Sequence, residues 1–103
     1  MEKLRGFQRK YLRGVAHSLK PVVLIGQKGN TSEVLKAVES ALETHELIKV
    51  KFIDFKEKDQ KMEIINDFQK KSGCEMVGMV GHTAILYRKH HDLEKRKIIL
   101  PER

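Results

Sequence analysis

Two glycines separated by two residues mark the part of this chain where binding chemistry is most readily expected. Gly26-Gln27-Lys28-Gly29 follows a run of apolar residues and precedes a segment with the pattern of a helix. A tight turn at this point would bring backbone N–H groups and the positive end of a helix dipole together. The glycines let a ligand approach the backbone without meeting a Cβ, and Lys28 adds a cation. The turn therefore predicts a phosphate site, most simply for a phosphodiester backbone.

Two glycines at this spacing also occur in strand-to-helix turns that bind nothing, so a purely structural turn remains the alternative. The Walker pattern G-x-x-x-x-G-K-[ST] and the Rossmann pattern G-x-G-x-x-G are both absent from the sequence. Their absence disfavours a nucleotide-dependent enzyme. Asn30 and Thr31 are both candidates to cap the next helix, and Asn30 with Glu33 has the spacing of a capping box.

Positive charge is concentrated near the turn. The net charge is +7, and residues 3–28 contain seven lysines and arginines but no acid. The remaining 14 basic residues balance the 14 acids of the chain. A solubilising surface more often mixes both signs, so this segment predicts a surface that binds a polyanion. The side chains predicted to contact it are Arg9, Lys10, Arg13, His17 and Lys20.

Other chemistries find little support in the residue pattern. The five histidines and Cys74 show no metal-ligand spacing, and no set of residues indicates nucleophilic or acid–base catalysis. We therefore expect no metal, no cofactor, no small-molecule substrate and no enzymatic activity. A single cysteine, no secretory signal and no long apolar run predict a cytoplasmic protein that does not enter a membrane.

The apolar pattern predicts a helix over residues 3–19, followed by a strand at 22–25. One sector of the helix contains Leu4, Phe7, Tyr11, Leu12, Val15 and Leu19. Arg9, Lys10, Arg13 and His17 lie in the opposite sector, and Gly14 predicts a site of close packing. The strand is β-branched and continuously apolar, as is typical of a strand covered on both faces.

Beyond the turn the pattern predicts a helix at 31–44, a strand at 47–53 and a helix at 57–72 that ends at Gly73. In the strand at 47–53 the residues Lys49 and Lys51 alternate with apolar ones, so either one face is apolar and the other basic, or the lysines lie under the rim of a helix. Strands at 75–80 and 83–88 flank Gly81-His82 and form a hairpin. The order α-β-α-β-α-β-β predicts one α/β domain over residues 1–103, with helices packed on a four-stranded mixed sheet. The charged tail, residues 89–103, ends in an Ile-Ile-Leu-Pro segment that we expect to dock.

Many short motifs in this order resemble one known family. The matching segments are Leu12-Arg13, Ala16-His17, Leu19 to Val23, Gly26 to Gly29, His45 to Lys51, Gly81 to Thr83, Leu86 to Arg88 and Lys97 to Pro101. Together they resemble the CRM domain (chloroplast RNA splicing and ribosome maturation), and in particular its bacterial, stand-alone YhbY-like members. Gly14 departs from the pattern, since a better helix former is expected there.

The resemblance implies an RNA-binding protein with a fold similar to the C-terminal domain of translation initiation factor three. It also implies a role with precursors of the large ribosomal subunit, and a G-x-x-G loop at Gly26 to Gly29. We therefore expect a monomer that binds ribosomal RNA through Gly26, Gln27, Lys28, Gly29 and Asn30 and through the basic side chains of the first helix. The alternative is an assembly scaffold that contacts ribosomal proteins, and a phosphate-ligand enzyme is a third interpretation.

Overall fold

The computed structural model describes residues 2–55 and 57–102, and within them helices and strands follow the predicted order. The helices are α1 (Gly6–Ala16), α2 (Ser32–His45) and α3 (Lys58–Ser72). The strands are β1 (Val23–Ile25), β2 (Leu47–Phe52), β3 (Glu75–Val80) and β4 (Thr83–Tyr87), and a 3-10 turn follows at Leu93–Lys95. Within the described ranges, none of the helices has the length and apolar character needed to cross a membrane.

The strands form a mixed sheet in the order β1-β2-β4-β3, which confirms the predicted architecture. β1 and β2 are parallel, as expected for strands joined by a helical crossover, and β4 is antiparallel to both β2 and β3. The carboxyl ends of β1 and β2 therefore lie at the same end of the sheet as the β3–β4 turn, Gly81-His82. Phe52 donates its N–H to the His82 carbonyl there, at 2.8 Å. We call this the turn end of the sheet.

Helices α2 and α3 cover one face of the sheet, which we call the closed face. Ile48, Val50 and Phe52 of β2 are buried against it, as the alternation of that strand predicts. The rest of this core comprises Val23, Ile25, Val38, Leu42, Ile65, Phe68, Cys74, Ala84 and Leu86. Gly73 ends α3 with a φ of +70°, which confirms the predicted left-handed cap.

Helix α1 packs on the other face, the α1 face, against β3, β2 and β4. The second core lies here and comprises Leu4, Leu12, Ala16, Leu47, Val77, Ile85 and Tyr87. The prediction that β1 is covered on both faces is wrong, since Leu24 is 57% exposed. β1 is an edge strand, and α1 packs on the other three strands and leaves it uncovered on this side.

The side of α1 that meets the sheet also differs from the predicted sector. Leu12 and Ala16 are fully buried, but Tyr11, Val15 and Leu19 are 44%, 37% and 38% exposed. The helix is thus turned so that part of its apolar sector faces away from the sheet.

A glycine in β3 accounts for this orientation. The aliphatic stem of Arg13 lies across Gly78, where a Cβ would come within 2.6 Å of Arg13 Cδ. A β-bulge between Met76 and Gly78 accompanies this close approach. Gly14, by contrast, has no described atom within 4 Å of the position a Cβ would take, so the predicted close packing there is wrong.

The C-terminal tail covers the end of the α1 face away from the turn end. Glu46 adopts a φ of +64°, and its buried carboxylate accepts three backbone N–H groups of the tail. The donors are His90 (2.9 Å), Lys97 (2.6 Å) and Ile98 (3.1 Å). Ile98 and Leu100 pack against the second core. One acid at the end of α2 therefore holds the tail against the sheet.

Candidate nucleic-acid interface

The turn Gly26–Gly29 lies at the carboxyl end of β1, with its tip in solvent. Gly29 donates its N–H to the Gly26 carbonyl at 3.0 Å and has a φ of +69°. Gly29 is buried, and a Cβ on it would lie 3.3 Å from the Phe55 ring. Gln27 and Lys28 between the glycines are exposed. The backbone of the turn therefore packs against Phe55 on its inner side, while the side chains of Gln27 and Lys28 are exposed to solvent.

Helix α2 starts directly after the turn, with Thr31 as its N-cap. The Thr31 hydroxyl accepts the Val34 N–H at 3.2 Å, so Thr31 rather than Asn30 caps the helix. Asn30 instead donates its side-chain amide to Asp67 of α3. Its partly buried side chain thus ties the turn to the closed-face helices rather than presenting its amide to solvent.

Asp54 and Glu33 lie close to the turn and limit where an anion can sit. Asp54 Oδ2 is 3.8 Å from the position of a Cβ on Gly26, and Glu33 occupies the first turn of α2. Both carboxylates repel a phosphate, and Glu33 competes with it for the positive helix end. The favourable position for an anion is therefore at the outer tip, beside Lys28.

Arg9 lies away from the turn. Its guanidinium donates to the Leu4 carbonyl at 2.6 Å and pairs with Glu75 at 3.3 Å. Glu75 begins β3, the edge strand opposite β1, at the end of the sheet far from the turn. Arg9 is thus engaged in holding the start of α1 on the sheet and is not brought together with Lys28.

Arg13 and His17 lie nearer the turn end, beside Lys49 of β2. Lys49 Nζ donates to the Leu19 carbonyl at 2.9 Å and to the His17 carbonyl at 3.4 Å, which ties the end of α1 to the sheet. These three cationic or titratable side chains border one cavity together with Pro21, Val80, Thr83 and Ile85. The lysine alternation in the strand at 47–53 signalled this basic face, although Lys49 was not among the predicted contacts.

Lys10 and Lys20 lie in two further places. Lys10 borders a groove beside the tail that is lined by Phe7, Tyr11, Gly14, Val15, Pro101 and Glu102. Lys20 borders a mainly apolar groove with Val15, Leu19, Val22, His45, Leu47, Ile48 and Ile98. The cations predicted for the first helix are therefore divided among several surfaces, and of them Arg13 and His17 share one cavity.

One row of residues crosses the uncovered part of the α1 face. Leu24, Lys51, Thr83 and Val80 are paired in register across β1, β2, β4 and β3. Leu24 and Val80 are 57% and 73% exposed. We call this row and the neighbouring cavity the open half of the α1 face. Leu24, Lys51, Thr83 and Val80 were not predicted as site residues, because their exposure depends on where α1 and the tail lie.

Glu43, His90 and His91 place their ligand-type atoms within 4.8 Å of one another. Glu43 Oε1 lies 3.0 Å from His90 Nε2 and 2.9 Å from His91 Nε2. The Asp92 N–H donates to His90 Nδ1 at 2.9 Å, so the neutral ring carries its proton on Nε2, facing Glu43. A metal would need that nitrogen deprotonated. The hydrogen bond from His91 is the main cause of a lowered pKa at Glu43, and the Arg88 guanidinium, 3.1 Å from Glu43 Oε2, adds to it. We interpret the group as a hydrogen-bonded cluster.

Cys74, the one thiol of the chain, is buried beside Ser72, and burial raises its pKa. A thiol with a raised pKa carries little of the reactive thiolate. Its environment is therefore that of a core residue and not of an activated nucleophile.

A mixed sheet with helices on both faces and an exposed glycine turn that contains Lys28 describes a small α/β domain. Residues 4–88 match the family model of the CRS1 / YhbY (CRM) domain, and the chain belongs to this family. The match covers every helix and strand named above and ends where the tail begins.

Full-length relatives support the same assignment. The chain is 40% identical to an RNA-binding protein of Haemophilus influenzae over 103 residues, which is 100% of both chains. It is 35% identical to a probable RNA-binding protein of Bacillus subtilis, over 95% of this chain and 99% of the relative. Among solved structures, a hypothetical protein of Staphylococcus aureus, described as a candidate RNA-binding protein, superposes with a TM-score of 0.79. That comparison has 30% identity and covers 96% of this chain and 100% of the other.

Proposed function

We propose that this protein binds RNA without catalysing a reaction, and that it acts in the assembly of the large ribosomal subunit. The outer tip of the turn Gly26–Gly29 holds an RNA phosphate, and Lys28 neutralises it. Arg13 of α1 and His17 directly after it, joined by Lys49 and Lys51 of β2, contact the adjoining part of the RNA strand. Relatives of similar length that are named as RNA-binding proteins support RNA as the partner.

One observation carries this proposal. The turn directly continues β1, whose Leu24 lies on the open half of the α1 face, and a group of basic side chains borders the cavity on that same half. At a strand spacing of about 4.8 Å, the part of this cavity that β4 forms lies two strands, or roughly 10 Å, from β1. A short stretch of extended RNA spans that distance. Arg9 has no part in this arrangement, since it pairs with Glu75.

Family membership and the charge of the chain support the proposed ribosomal role. A net charge of +7 favours association with a polyanion such as ribosomal RNA, and we propose the cytoplasm as the compartment of the protein. The affinity should then fall with salt, with a log–log slope of about −0.7 for each phosphate neutralised on a single strand.

Lys28→Asp tests the phosphate site. Because the side chain is exposed, the fold is retained, and loss of a charge-assisted contact weakens binding about tenfold or more at low salt. The salt slope should also become less negative by about 0.7. Fluorescence anisotropy with an unstructured oligonucleotide measures both quantities.

Lys95→Asp is the matched control, since it makes the same charge change at an exposed residue of the tail. Equal weakening by the two variants would show that net charge, and not the turn, determines affinity. Wild-type binding that is independent of salt would contradict the proposal altogether.

A scaffold that contacts ribosomal proteins is the second candidate, and the apolar groove between Leu19, Val22 and Leu47 favours it. This alternative makes the turn dispensable for association with ribosomal precursors. Crosslinking of the protein in cell extract, followed by identification of the attached species, separates the two: nucleotides attached at the turn support RNA binding, and peptides attached at the groove support the scaffold.

A further inference from the structure

A cavity of about 340 Å³ lies on the open half of the α1 face, between the end of α1 and strands β3 and β4. This volume is near the lower end of the range for small-molecule sites. Val80 and Ile85 supply apolar walls, while Thr83, His17, Arg13 and Lys49 supply polar groups. Such a lining suits a flat heterocycle with polar edges better than it suits a phosphate alone.

We propose that this cavity holds an unpaired nucleobase of the RNA strand whose phosphate lies at the turn. The inference rests on the proposed function and makes it more specific. It assigns single-stranded RNA, and not a duplex, as the substrate class, because a base inside a helix cannot enter a cavity.

Arg13 is held in a fixed position at the cavity wall. Its stem lies on Gly78, and Nη1 donates to the Val77 carbonyl at 2.9 Å. A guanidinium plane is a stacking surface for RNA bases, and a preorganised one loses less entropy on binding. Gly78 therefore has a role that a larger residue cannot fill, since any side chain there would displace Arg13.

Apolar side chains lead from the turn to the cavity. Leu24, Ile53 and Val80 are 57%, 52% and 73% exposed. Leu24 and Val80 are the ends of the row that crosses the sheet, and Ile53 follows β2 and donates its N–H to the Ile25 carbonyl at 2.9 Å. Bases that are not stacked on one another can cover this apolar surface, which a contact made only by phosphates would leave in water.

The charges around the cavity complement a nucleic acid. Among the described residues that line it there is no carboxylate, whereas Arg13 and Lys49 are cationic and His17 can be. Lys51 stands next to Thr83 in the same row. An acidic or neutral peptide could use the apolar walls, but the cations around them favour a ligand with a phosphate on each side of a planar group.

The test compares three labelled ligands by anisotropy: a uridine decamer, a decamer in which alternate residues are abasic, and a duplex of equal length. The variant Leu24→Ser/Val80→Ser removes two exposed apolar contacts without changing charge. We expect it to bind the uridine decamer about tenfold more weakly, with an unchanged salt slope. The abasic decamer should bind more weakly than the uridine decamer and respond little to the substitutions.

Leu93→Ser/Ile99→Ser is the control, because both residues are exposed apolar side chains of the tail. A second pair examines Arg13: Gly78→Ala and Arg13→Ala should weaken binding of the uridine decamer equally, and their combination should add nothing. Circular dichroism establishes that each variant is folded.

The outcomes separate this inference from the proposed function. If the wild type binds no RNA, or Lys28→Asp has no effect, the phosphate site is wrong. Suppose that Lys28→Asp weakens binding, but that the wild type binds the abasic and uridine decamers equally and Leu24→Ser/Val80→Ser binds the uridine decamer as tightly as the wild type does. The phosphate site then stands and the base site is overturned. Equal affinity for the duplex and the single strand also overturns the base site.

Discussion

The two faces of the sheet are built by different means. On the closed face, two helices bury every second residue of the central strands, and the core is continuous from Val23 to Leu86. On the α1 face, a single helix and a docked tail cover only the end away from the turn, and Leu24 and Val80 remain exposed. The closed face thus stabilises the fold, while the α1 face is divided between a structural half and an open one.

The boundary between the halves of the α1 face is set by a few polar contacts. Glu46 holds the tail over Tyr87 and Leu47, and Lys49 ties the end of α1 to the middle of the sheet. A longer helix or a tail docked further along would cover the row from Leu24 to Val80. The open half therefore exists because these contacts determine how far α1 and the tail extend over the sheet.

Removing the Glu46 carboxylate should have the largest effect on this division. In Glu46→Ala, three backbone N–H groups of the tail lose their acceptor, and we expect a loss of about 3 kcal/mol or more in the free energy of unfolding. The tail should also leave the sheet. Urea unfolding measures the first effect, and hydrogen exchange at Lys97 and Ile98 measures the second.

Glu33→Ala is the comparison variant, because Glu33 is an exposed acid at the opposite end of α2. If Glu46→Ala unfolds at the same urea concentration as Glu33→Ala, the tail does not stabilise the covered half. Slow hydrogen exchange of the tail in Glu46→Ala would contradict the role given to the carboxylate.

The closed face could be predicted almost completely from the sequence, and the α1 face could not. Alternation in the strand at 47–53 and helical spacing in α2 identify buried residues directly. The orientation of α1 depends instead on Gly78, a residue 65 positions away from Arg13 in the sequence, whose missing side chain admits the arginine stem. A pattern within one helix carries no information about such a contact.

The residues of the candidate site also fall into some that the sequence could predict and others that it could not. Gly26 to Gly29 and the basic character of β2 are local features, so spacing alone drew attention to them. Arg9 was predicted to contact the ligand together with Arg13, but Arg9 pairs with Glu75, a long-range contact that residue spacing cannot reveal. Leu24 and Val80 are apolar strand residues and would be assigned to a core on pattern alone. Their exposure to solvent becomes apparent only from how far α1 and the tail extend over the sheet.

Tyr87 offers a second way to examine the covered half, through pH. Burial, reinforced by the charge of Glu46, raises the pKa of its hydroxyl to about 12. The pKa of tyrosine in the unfolded chain is about 10, so the folded state favours the neutral phenol. The resulting contribution to the free energy of unfolding is fully present below pH 10. As the pH rises from 10 to 12 this contribution is lost, and the free energy of unfolding falls by roughly 2 to 3 kcal/mol in total.

Tyr87→Phe should therefore lose less stability than the wild type between pH 10 and 12. At pH 7 the substitution should cost little, because the buried hydroxyl has no hydrogen-bond partner among the described residues. Urea unfolding of both proteins at pH 8, 10 and 11 checks the difference. Parallel pH dependence would indicate that the hydroxyl reaches water and that the tail covers Tyr87 less tightly than the structure indicates.

The smallest expected effect concerns Asp54, at the turn end of the open half. Its carboxylate lies beside Gly26, where it repels an approaching phosphate. Because Asp54 is exposed, its charge is worth less than about 1 kcal/mol, so Asp54→Asn should strengthen RNA binding about threefold at low salt. The gain should disappear at about 1 M salt, where screening shortens the Debye length to about 3 Å. Asp59→Asn, an exposed acid in the first turn of α3, is the control. An equal gain from both variants would mean that RNA responds to the overall charge of the protein and not to a phosphate placed at Gly26.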